Sequence, residues 1–146
     1  GYDSVDTLRL LAGVFDIYMP DAKYGSDDPA KKYSQAQDYT NIMKAAIREM
    51  HSQVGDLALD EDGVAVSGLL VRHLVLPEDA AGTAEVVRFL SQEISPHTCL
   101  NVMAQFRPEY RACCFPELNR PITGQEYAHA LRLAAQAGLV RGLAML

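Results

Sequence analysis

Apolar residues recur along this chain with two spacings, and the spacing changes at glycines, prolines and an Asp-Gly pair. Val5, Leu8 and Leu11 lie three apart, after Asp3-Ser4 and before Gly13. This predicts a short helix with a polar cap and a glycine end. Val14-Phe15-Asp16-Ile17-Tyr18-Met19 is β-branched and aromatic and closes at Pro20, which predicts a strand. Asp21 to Asp38 is polar, with Gly25 and Pro29, and reads as a loop holding one helical turn near Ala30-Lys31-Lys32. From Thr40 to about Val54, the positions Met43, Ile47, Met50 and Val54 form one apolar face of a helix.

Leu57-Ala58-Leu59 and Val64-Ala65-Val66 flank Asp60-Glu61-Asp62-Gly63, whose Asp-Gly step predicts a tight hairpin. The run Leu69 to Leu76 is apolar apart from Arg72 and His73, the pattern of a parallel strand covered on both faces. A helix is expected from about Thr83 to Ile94, then a strand over Thr98–Met103. The last helix has a capping box in Thr123 and Glu126, a staple in Ile122 and Tyr127, and a stop at Gly138. Strands alternating with helices predict an α/β fold with a parallel sheet built from right-handed βαβ units.

The length of 146 residues suits one domain spanning positions 1–146. Hydrophobic residues at 49% and charged residues at 22% exclude a disordered or collagen-like chain. A net charge of −6 offers no basic face for phosphates, so nucleic acid is not an expected partner. No apolar run reaches the roughly 18–20 residues of a membrane span, so no membrane partner is expected either. Three cysteines do not make a disulfide framework, which points to a reducing, cytoplasmic compartment.

In parallel α/β sheets, ligands bind beyond the carboxyl ends of the strands. That rule selects Pro20-Asp21-Ala22-Lys23, the stretch from Arg72-His73 to Glu78, and Asn101 to Arg107. Asp21, Lys23, Arg72, His73, Asn101 and Gln105 would then bring a carboxylate, two cations, an imidazole and two amides to one rim. A small zwitterion with hydroxyls suits that set, its carboxylate on Arg or Lys and a diol on Asp. The plainer alternative makes Asp21 a loop cap and Lys23 a solvated surface residue. His51 reads as a solvated helix residue, His97 as a loop residue, and Asp27-Asp28 and Asp60-Glu61-Asp62 as solvated acidic runs. Cys99 reads as a buried strand thiol, and Cys113-Cys114 is too tight for a zinc or iron–sulfur signature. Serine-hydrolase, P-loop, zincin and dinucleotide motifs are all missing.

The segment Phe15-Asp16-Ile17-Tyr18-Met19-Pro20-Asp21-Ala22-Lys23-Tyr24 resembles the fourth-strand segment of radical S-adenosylmethionine enzymes of the pyruvate formate-lyase activating type, which ends in Asp-x-Lys. The resemblance continues in order through Glu49-Met50-His51, Gln53-Val54-Gly55-Asp56 and Gly68 to Pro77. It resumes at Ile94-Ser95-Pro96, Asn101-Val102-Met103, Gln105-Phe106-Arg107-Pro108 and Pro116-Glu117-Leu118-Asn119-Arg120. It implies a partial TIM-type (β/α) barrel, of which this chain would be the carboxyl-terminal half: parallel strands four to six, flanking helices and a small hairpin.

The family's CxxxCxxC loop for a [4Fe-4S] cluster and its Gly-Gly-Glu segment have no counterpart here. The resemblance therefore implies a piece of a longer enzyme, inactive alone. The parent would cleave S-adenosylmethionine reductively to a 5′-deoxyadenosyl radical and take a hydrogen from a glycine of a partner enzyme. Asp21 and Lys23 match the family's contacts to the methionyl and ribose portion of S-adenosylmethionine, and Arg72 its strand-five basic position. His73, Gln105 and Asn101 join that cofactor-binding set by their strands; no residue of the chain is expected to be catalytic or to hold a metal. A strand edge over Val14–Met19 without its barrel neighbour is expected to drive self-association. A non-catalytic half-barrel serving as a binding or scaffold domain is the alternative.

Overall fold

The computed structural model describes residues 1–143. Helix α1 (Val5–Leu10) starts where the Ser4 hydroxyl accepts the Thr7 N–H. Strand β1 is Ile17–Tyr18, shorter than the predicted Val14–Met19. Its pairing does not stop at Pro20, however. The Arg72 N–H donates to the Pro20 carbonyl and the Ala22 N–H to the Arg72 carbonyl, both at 2.9 Å. Proline lacks a donor but keeps its acceptor, so it interrupts an edge strand without ending it.

Helix α2 (Asp27–Ser34) takes up eight residues of what the sequence presents as a loop and extends the helical turn expected near Ala30-Lys31-Lys32. Its acids Asp27 and Asp28 lie in the first turn and Lys31 and Lys32 in the last, matching the helix dipole. Asp27 is not simply solvated, because its carboxylate accepts the Thr40 N–H at 2.8 Å and the Thr40 hydroxyl at 2.9 Å. Helix α3 (Tyr39–Val54) buries Met43, Ile47 and Met50 as the periodicity predicts.

Strand β2 (Ala58–Leu59) runs antiparallel to β3 (Ala65–Leu74) across the expected turn. The hairpin's second arm and the long apolar strand are thus one continuous element. Gly68 sits within it at φ 108°, where a Cβ would lie 2.4 Å from the Asp56 carbonyl oxygen. Helix α4 (Thr83–Phe89) passes into a π turn over Leu90–Ile94, closed by the Ser95 N–H on the Leu90 carbonyl at 3.0 Å. Strand β4 (Cys99–Met103) precedes two 3₁₀ turns, at Ala112–Cys114 and Pro116–Leu118. Helix α5 (Gly124–Gln136) carries the complete Thr123–Glu126 capping box.

The result is a mixed α/β fold around an open sheet of four strands. β3 is central, with β1 and β4 parallel to it and β2 antiparallel. Partners in a parallel ladder share a face, and successive residues alternate between faces. Tyr18, Leu69, Val71, His73, Leu100 and Val102 are buried on the side that joins the core with Met43, Ile47, Phe89 and Leu90. Ile17, Leu70, Arg72, Leu74, Asn101 and Met103 occupy the other side and are exposed or half-buried. β3 is therefore covered fully on one face only, which corrects the expectation from its near-continuous apolar run. That expectation followed from Leu70 and Leu74, which are apolar but lie on the half-open face.

Candidate functional site

The segment after β1 is fixed atom by atom. Besides the two bonds to Arg72, the Lys23 N–H donates to the Tyr39 hydroxyl at 2.8 Å and the Gly25 N–H to the Ala81 carbonyl at 2.8 Å. The Ala22 carbonyl accepts from His73 Nδ1 at 2.7 Å. Because a carbonyl only accepts, Nδ1 carries the proton, and Nε2 accepts from the Thr83 hydroxyl at 3.0 Å. Asp21 and Lys23 flank Ala22, so both side chains project from a backbone with almost no freedom.

The open face at the carboxyl end of the sheet receives them. Asp21 bridges to Arg72, and Arg72 Nε donates to Asp21 Oδ1 at 2.7 Å. Both side chains are over a third exposed, so this pair contributes modestly to stability. Asp21, Lys23, Arg72, Leu74, Met103 and Gln105 together line one recess of about 140 Å³. Gln105 Nε2 rests against Met103 Sδ at 3.4 Å, which leaves its carbonyl end available.

The structure thus gathers four of the six rim candidates, Asp21, Lys23, Arg72 and Gln105, around a single depression. Asn101 pairs in register with Arg72 on the same face but lies below the recess and does not line it. His73 faces the opposite way and has no exposed surface. Burial holds its pKa below the ordinary imidazole value, against the Ala22 carbonyl and nearby Asp79, which favour the proton. It is a buried, neutral support behind the rim, and its side chain cannot touch a ligand there.

Other candidates resolve as structural. His51, expected to be solvated, is half-buried and bonds Asp56 at 3.0 Å; the second Asp56 oxygen accepts from the Ser95 hydroxyl at 2.9 Å. Burial alone would raise the Asp56 carboxyl, but the bonds from His51 and Ser95 hold it below its usual value. Cys99 is buried, and burial pushes its thiol up. Cys113 and Cys114 are exposed, and His97 lies exposed in its loop. Among the described residues no three His, Cys, Asp or Glu side chains converge as metal ligands, so those residues do not fit an iron–sulfur cluster. No helix among them is long and apolar enough to cross a membrane.

Sequence reasoning missed a second depression beside the first. A cavity of about 510 Å³ shares Lys23 and Leu74 with the recess and extends towards α2 and the 3₁₀ turns. Its walls come from segments some eighty residues apart, and a single sequence carries no local signal for that meeting.

An uncharacterized protein of Methanocaldococcus jannaschii is 32% identical to this chain over 139 residues. The match covers 94% of this chain and 37% of that protein, so the chain spans little more than a third of its relative's length. No family model matches the sequence, and no solved structure matches it.

Proposed function

We propose that this chain is the carboxyl-terminal half of a radical S-adenosylmethionine barrel of the pyruvate formate-lyase activating type, and that its rim holds S-adenosylmethionine. The observation that carries the reading is the convergence of Asp21, Lys23, Arg72 and Gln105 on one recess beyond the ends of three parallel strands. In that reading the half-open sheet face is the barrel interior, strands β1, β3 and β4 are barrel strands four to six, and the hairpin is an addition. The match to little more than a third of a longer relative fits a partial barrel.

Chemically, the recess can grip one end of such a ligand. At about 140 Å³ it is smaller than an ordinary small-molecule pocket, so it takes a head group and not a whole nucleoside. Lys23 and Arg72 would meet the carboxylate, Asp21 the ammonium or ribose hydroxyls, and Gln105 a remaining polar atom. The cluster that would supply the reducing electron belongs to the parent enzyme. The described residues offer that cluster no ligands, so their part is to bind and orient the head group.

Calorimetric titration of the chain with S-adenosylmethionine tests this. Saturable binding is expected, with Asp21→Ala and Lys23→Ala each weakening it about tenfold, the scale of one charge-assisted hydrogen bond. No binding, or equal binding by both variants, overturns the assignment. The Asp21–Arg72 ion pair favours a second reading, in which these two charges serve each other and the chain is a non-catalytic binding or scaffold domain. In that case Asp21→Ala lowers stability and leaves ligand titrations flat.

A further inference from the structure

The 510 Å³ cavity beside the rim has a built aromatic wall. The Tyr33 and Phe115 rings meet edge-to-face with centroids 5.0 Å apart, and Tyr24 follows Tyr33 at 6.5 Å. The wall is pinned from behind: the Tyr33 hydroxyl donates to Glu117 at 2.8 Å, and the Tyr24 hydroxyl bonds Ser34 Oγ at 2.8 Å. Lys32, stacked at 4.9 Å from the Tyr33 ring centroid, has its charge met by Glu117.

Two further cations line the cavity, Lys23 and Arg111, and neither forms an ion pair among the described residues. One carboxylate, Glu109, shares the lining with the three cations. This is a positive concavity in a chain whose net charge is −6. Cations without an ion-pair partner that line the same cavity as aromatic rings select an anion attached to an apolar or planar body: the charge meets Lys23 and Arg111, and the body replaces water against the rings.

We propose that this cavity binds a small organic anion, a phosphate ester or carboxylate bearing a ring or a comparable apolar group. The binding claim stands on the cavity's own lining. One extension rests on the S-adenosylmethionine reading: because Lys23 and Leu74 line both depressions, the anion would lie next to the rim ligand and be the molecule acted on. The substrate class would then be a small anion, in place of a glycine in a partner protein.

Equilibrium dialysis of the chain against phenyl phosphate, inorganic phosphate and phenol, each alone, tests the proposal. Phenyl phosphate is expected to bind saturably and about tenfold more tightly than either of its parts. Arg111→Ala, at an exposed position outside the rim recess, is expected to weaken phenyl phosphate about tenfold. The same variant should leave the S-adenosylmethionine titration unchanged, and Arg132→Ala, an exposed arginine outside the cavity, should change neither. Phenyl phosphate binding no better than inorganic phosphate, or equally well to Arg111→Ala, overturns the cavity assignment. Phenyl phosphate binding without S-adenosylmethionine binding keeps the cavity and removes the rim reading and the extension built on it.

Discussion

Arg72 and His73 follow one another on β3 and face opposite sides of the sheet, and that alternation divides their work. Arg72 reaches Asp21 on the open face, while His73 holds the Ala22 carbonyl from within the core. The buried imidazole is neutral in the folded chain, whereas the unfolded chain takes up a proton near the ordinary value of about 6.5. Stability from this group is present above that value and is lost as pH falls through and below it. Urea unfolding should therefore show a lower midpoint at pH 5.5 than at pH 7.5, with a smaller difference in His73→Gln; an equal difference in both proteins contradicts the account. Gly68 gives a second residue-scale prediction. A methyl there meets the Asp56 carbonyl in a backbone region that L-residues avoid, so Gly68→Ala should cost roughly 2 kcal/mol or more in the same assay.

Among the elements, α5 is the one whose ends are written most openly in the sequence. Glu126 accepts from the Thr123 N–H, from the two terminal guanidinium nitrogens of Arg120 at 2.9 and 2.8 Å, and from the Glu78 N–H at 2.7 Å. Arg120 first, and then the backbone donors, hold its carboxyl far below the usual carboxylate range. Its contribution is therefore present at neutral pH and lost on acidification. Thr123→Ala should cost about 1 kcal/mol in unfolding free energy, and a loss near zero would mean that the box does not fix the helix start.

The capping box, the Asp-Gly hairpin and the α3 face were legible because each is a short-range pattern. Helix α2 was legible only as one helical turn near Ala30-Lys31-Lys32, because Pro29 and its charges look like a loop and its side chains meet distant groups such as Glu117. The rim residues Asp21, Lys23, Arg72 and Gln105 were legible from the strand-end rule. The orientation of His73 was legible too, since adjacent strand residues cannot share a face, but assigning Arg72 and His73 to the same rim concealed it.

At the scale of the molecule, the sheet has one covered face and one that is half-open. Ile17 is 37% and Met19 54% exposed, beside the half-buried Leu70, Leu74 and Met103. β1 pairs with β3 along one edge only among the described residues. In the half-barrel reading, this open face and free edge are where a second copy of the chain would pack when the parent's other strands are missing. Light scattering coupled to size exclusion should show a dimer or larger species that Met19→Asp shifts towards monomer. A monomer at high concentration contradicts that expectation and leaves the rim untouched.

The rim itself is tested most directly by recording ¹H–¹⁵N correlation spectra across a titration with S-adenosylmethionine. The account predicts saturable shifts concentrated at Asp21, Ala22 and Lys23, with Arg72 and Gln105 following on the neighbouring strands. Spectra that do not change, or changes confined to residues away from the carboxyl ends of β1, β3 and β4, would contradict it.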